Sequence, residues 1–116
     1  MQTIKRFLLL EAAAFAAAAS VHFGLLFGGY EHTKAGIAES VIAAVLLIGL
    51  TVTWMAPERV RAAGMAAQAF ALLGTLVGLF TIAIGVGPRT VPDLVYHVAI
   101  VAVLMWGLIV ARRMSR

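Results

Sequence analysis

From Ala62 to Pro88 the chain carries no charged residue. A helix rises about 1.5 Å per residue, so about 20 apolar residues cross the roughly 30 Å hydrocarbon core of a bilayer. A run this long, bounded by Arg59 and Arg61 on one side and Arg89 on the other, predicts a membrane span. Three more apolar runs lie in the same chain of 116 residues, 63% of which are hydrophobic and only 12% charged. Soluble domains run at about 45–50% apolar and about 25% charged. No soluble fold of this length has the interior to hide the difference, so the solvent for most side chains is lipid.

The punctuation between the runs gives the elements. The spans are expected at about 6–28, 35–55, 60–86 and 92–111, within a single domain covering 1–116. A basic n-region before Ala16-Ala17-Ala18-Ala19-Ser20 raises a cleaved signal peptide, and Glu11 inside the would-be apolar core argues against one. Gly28 and Gly29 end the first span. Pro57 suits the first position of a helix and Glu58 its positive end. Thr90-Val91-Pro92-Asp93 reads as a capping box that opens the last span. The fold class is therefore all-α, a four-helix transmembrane bundle.

Orientation follows from the nine Lys and Arg residues. Lys5, Arg6, Arg59, Arg61, Arg112, Arg113 and Arg116 fall on one side, Lys34 and Arg89 on the other. Cytoplasmic loops carry the excess of positive charge, so both termini are expected in the cytoplasm, with the chain in the cell inner (plasma) membrane. The same distribution explains the formal net charge of +4 without nucleic acid. The absence of cysteine excludes disulfides, thiolate metal sites and thiol catalysis.

Shifting the chain by half its length aligns Ile42 with Ile100, Leu46 with Leu104, Gly49 with Gly107 and Glu39 with His97. The halves, about 1–58 and 59–116, read as two helical hairpins in a parallel repeat, related by a pseudo-twofold along the membrane normal. Small residues at three- or four-residue spacing, Ala16-Ser20-Gly24-Gly28 and Ala67-Ala71-Gly74-Gly78, offer close helix packing. Gly24–Gly28 and Gly74–Gly78 also offer faces for a homodimer.

Polar groups within the spans are the candidates for function, because an ionisable side chain there costs roughly 2.5–3.5 kcal/mol on insertion scales. They are Glu11, His22, Glu39, Gln68 and His97. Glu39 and His97 are expected to face each other across the pseudo-axis near the outer leaflet, with Asp93 one turn from His97 and His22 about 10 Å below its helix end. Glu11 and Gln68 have similar depth in the inner half and are expected to share a hydrogen bond.

A single carboxylate in the first helix, at Leu8-Leu9-Leu10-Glu11-Ala12, resembles the small multidrug resistance transporters. The aromatic and glycine signature of that family's third helix is missing from Ala66–Phe80. Gly36-Ile37-Ala38-Glu39-Ser40-Val41-Ile42-Ala43-Ala44 and Val91-Pro92-Asp93-Leu94-Val95-Tyr96-His97 resemble small uncharacterised four-pass bacterial inner-membrane proteins. A similarity to DoxX-type proteins rests on helix count alone.

Three readings of the outer cluster stay open. The first is a site at His22, Glu39, His97 and Asp93 that binds or passes a small solute, an ion or a proton, since His titrates near neutral pH. The second is a structural or accessory subunit whose polar pairs only register helices. The third is a redox protein holding haem or a divalent metal through His22, His97 and Glu39. No nucleophile–base constellation supports an enzyme.

Overall fold

The computed structural model describes residues 1–114. Four helices follow one another: α1 (Gln2–His22), α2 (Thr33–Met55), α3 (Val60–Ala83) and α4 (Val91–Arg113), with a 3-10 turn at Pro57–Arg59 leading into α3. No strand occurs among the described residues. Three segments, Thr33–Met55, Pro57–Ala83 and Val91–Arg113, are long and apolar enough to cross a membrane. The helix α1 has 21 residues but carries Lys5, Arg6 and Glu11 within them.

Two helix ends differ from the sequence expectation. The first helix stops at His22 rather than Gly28, and the third at Ala83 rather than Val86. In both, a glycine takes the left-handed conformation one residue past the cap, Gly24 at φ +75° and Gly85 at φ +86°. The amide of Leu25 then donates to the carbonyl of Ser20, and that of Gly24 to Val21. Val86 donates to Thr81 and Gly85 to Ile82 in the same way. These are paired Schellman closures, in which only glycine adopts the reversed backbone without a Cβ penalty. Apolar Phe23–Phe27 masked the first from hydropathy.

The starts of α2 and α4 are also capped. The His32 ring accepts from the Ala35 amide, which begins α2 two residues earlier than expected. At α4 the expected capping box is formed, with Thr90 and Asp93 each bonding the other's backbone.

The helices run up and down in chain order, so each packs on its sequence neighbours. A core of Ile4, Leu8, Phe15, Leu46, Leu104 and their neighbours fills the middle. Across it α1 also meets α3, while α2 and α4 stand at opposite corners without touching. Of the four adjacent pairs, α1 and α4 touch least. The outside is apolar: Leu10, Ile48, Trp54, Leu73, Phe80, Val98 and Trp106 are all exposed. Buried residues of α2 recur at Gly36, Glu39, Ile42/Ala43, Leu46 and Gly49/Leu50, one helical stripe turned inward.

The small-residue ladders are used differently from the expectation. A Cβ at Gly74 would meet the Ile42 side chain and one at Gly78 would meet His97, so this face is covered by the chain's own helices. Gly24 and Gly28 lie outside α1, beside the Glu31 side chain.

Candidate functional site

The early end of α1 positions the site. Because the helix closes at His22, this ring stands at the tip of its helix rather than 10 Å below it, and the loop returns so that the His32 amide donates to the His22 carbonyl at 2.8 Å. Glu39 sits on the inward stripe of α2, about one and a half turns from its start. Asp93 is the third residue of α4, held by its capping box. Three different helix ends thus bring an imidazole and two carboxylates to the same level.

His22 is the centre. Its Nδ1 lies 2.5 Å from Glu39 Oε1 and its Nε2 lies 2.8 Å from Asp93 Oδ1. All three side chains are buried, so each contact must contain a hydrogen between nitrogen and oxygen, since two lone pairs cannot face each other at this distance. The two contacts therefore hold two protons, as an imidazolium with two carboxylates or as a neutral ring with one carboxylic acid, and the net charge is −1 as long as Glu39 Oε2 carries no proton of its own. The surroundings of the two carboxylates differ. Asp93 Oδ2 accepts from the Thr90 hydroxyl at 2.5 Å and from the Thr90 amide at 3.2 Å. Glu39 Oε2 is buried with no partner.

Glu39 does not bond His97, contrary to the expected pairing across the axis. His97 Nδ1–H donates to the Asp93 carbonyl oxygen at 2.7 Å, within its own helix. A carbonyl only accepts, so the proton is on Nδ1 and Nε2 keeps its lone pair or takes a second proton. Both Glu39 and His97 line a cavity of about 190 Å³ between α2 and α3, with His32, Lys34, Thr75 and Thr81. The hydroxyls of Thr75 and Thr81 donate to their own helix, leaving their oxygens able to accept. His32 lines the cavity from the loop side, with Nδ1 accepting from the Ala35 amide and Nε2–H donating to the Val86 carbonyl across the two loops. A water takes about 30 Å³ of liquid, so the space suits an ion with a few waters or a solute of a few heavy atoms.

No protein-family model, curated protein or solved structure matches this chain. The site is therefore read from its own atoms.

Haem through His22 and His97 does not fit these atoms. Both ring nitrogens of His22 are engaged by carboxylates, so none is left for iron. The cavity beside His97 is smaller than the roughly 300–1,000 Å³ that drug-sized ligands need. Among the described residues no group of three or more His, Asp or Glu side chains is arranged to hold a metal ion.

The inner pair also departs from expectation. Glu11 and Gln68 are both fully buried, but they share no hydrogen bond. The Gln68 amide donates to the Gly64 carbonyl of its own helix at 3.0 Å, and its oxygen lies where a Cβ at Gly107 would stand. Both Glu11 oxygens are left without partners. The capping box read from the sequence did make Thr90 a partner of Asp93. Reading the sequence missed Lys34, Thr75 and Thr81 at the cavity, where nothing local marks them.

Proposed function

We propose that the chain is a four-pass inner-membrane protein, with α1 as the fourth span, which binds a proton together with a small polar solute or ion in the cavity between α2 and α3. Glu39 and His97 contact the ligand, and the His22–Asp93 pair sets the charge that Glu39 can carry. The observation that carries this is the free Oε2 of buried Glu39, in a side chain that lines a largely apolar cavity to which His97, His32 and Lys34 add polar groups. A buried carboxylate oxygen with no partner costs about 1–3 kcal/mol or more, which a bound proton or cation would relieve. On this reading both termini are cytoplasmic and the site lies near the outer leaflet. The two halves derive from a parallel repeat, in keeping with α2 and α4, whose bounds are offset by the same half-chain shift.

The test is proton movement in liposomes of purified protein loaded with a pH-sensitive dye. The wild type should respond to an acid pulse, and Glu39→Gln should lower the initial rate about a hundredfold or more, the scale of a lost general acid–base group. Equal rates in both would refute the reading. Since the chain has no cysteine, Lys34→Cys and Arg59→Cys should be labelled from opposite faces.

A second reading is favoured by His22 itself. One ring joins α1, α2 and α4, which is what a structural clasp in an accessory subunit would do. A clasp alone predicts that Glu39→Gln changes stability and leaves proton movement at the background of empty liposomes.

A further inference from the structure

The triad separates two spaces, and only one belongs to the proposed solute site. On the other side, between α1 and α4, a groove of about 440 Å³ opens where these adjacent helices touch least. Its length is apolar, formed by Ala14, Ala17, Ala18 and Val21 of α1. Its polar groups are gathered at one end, where His22, Asp93, Tyr30 and Tyr96 line it, with Phe27 packed edge-on to Tyr30 at 5.7 Å.

We propose that this groove holds a membrane phospholipid with an ammonium head, of the phosphatidylethanolamine class, the head at Asp93 and the chain along α1. Three observations select this occupant. First, the charge is one-sided. With Glu39 Oε2 unprotonated the triad carries −1, and among the described residues no Lys or Arg lines the groove, whereas Lys34 lines the cavity on the opposite side. Second, the head end combines aromatic faces with a carboxylate, the arrangement that attracts an organic cation through ring quadrupoles. Third, the direction is that of a lipid. Ala14 lies eight residues before His22, about 12 Å deeper along the helix, so the apolar end points into the membrane and the polar end lies by the loops. Alanines on α1 leave room for a chain that leucines would fill.

This inference rests on the membrane reading of the bundle and not on the solute cavity, so the two can fail separately. The experiment extracts the full chain from vesicles of equal phosphatidylethanolamine and phosphatidylglycerol and counts retained lipids by native mass spectrometry. The wild type should keep phosphatidylethanolamine over phosphatidylglycerol about fivefold, the scale of one partly desolvated cation–aromatic contact. Ala17 is exposed, so Ala17→Phe fills the groove without entering the core and should abolish retention at unchanged melting temperature. If Ala17→Phe does not fold, Tyr30→Leu, in the loop, should bring the preference toward unity. Equal retention of both lipids by the wild type, or undiminished preference in the variant that folds, would overturn the assignment. Proton movement that persists in liposomes without phosphatidylethanolamine would leave the cavity reading intact.

Discussion

Replacing His22 with alanine removes the hub of the triad and leaves its two carboxylates facing an empty space. At neutral pH the variant must bury Glu39 Oε1 and Asp93 Oδ1 without their shared donor. Removing one partner of a buried ion pair costs about 3–5 kcal/mol. Acid changes the account. Once the carboxylates are protonated the charge penalty is gone, and what remains is two hydrogen bonds, at about 1 kcal/mol each. The loss should therefore fall from about 3–5 kcal/mol near pH 8 to about 2 kcal/mol near pH 5. The sign follows from linkage, because the variant's native state gains more from proton binding than the wild type, whose triad already holds two protons. Thermal unfolding in detergent micelles at the two pH values, with wild type in parallel, measures the difference. A loss that is equal at both pH values, or below about 1 kcal/mol at pH 8, would refute the two-proton triad.

Three other outcomes are expected. Glu11→Leu should raise stability by about 1–3 kcal/mol in the same micelle assay, since both carboxyl oxygens are buried without partners; a loss would mean that Glu11 has a partner the protein depends on. Gly24→Ala should cost about 1–2 kcal/mol, because residue 24 closes α1 at φ +75° and a Cβ there would also stand 3.1 Å from Glu31 Cγ; an unchanged melting temperature would argue against that closure. Purified wild type should show no Soret band and no stoichiometric metal, and His97→Ala should have the same spectrum, since His22 has no free ring nitrogen; a band lost in the variant would restore the haem reading.

The helices were legible in the sequence because lipid demands long apolar runs, and the boundary at Thr90–Asp93 was legible because a capping box is local. The end of α1 was not, since Phe23–Phe27 is as apolar as the helix before it and a single glycine decides where the backbone turns. That error carried into the site. With α1 drawn to Gly28, His22 falls about 10 Å below the helix end, and the half-chain shift pairs Glu39 with His97 instead. The crowding of acidic and imidazole groups at one end could be read from helix depth alone. Which ring meets which carboxylate depends on the rotation of each helix about its own axis, and no residue spacing within one helix encodes that. The same blindness placed Glu11 against Gln68, two groups of equal depth that do not touch.

The triad also has an order in time. His22 and Glu39 are 17 residues apart and belong to the first hairpin, while Asp93 lies 71 residues after His22. Membrane helices insert first and associate afterwards, so the early hairpin must wait through the synthesis of α3 with one imidazole nitrogen unmatched. Only the arrival of α4 supplies the missing carboxylate. A chain cut short before Asp93 would keep the His22–Glu39 contact and leave the second imidazole nitrogen without its carboxylate.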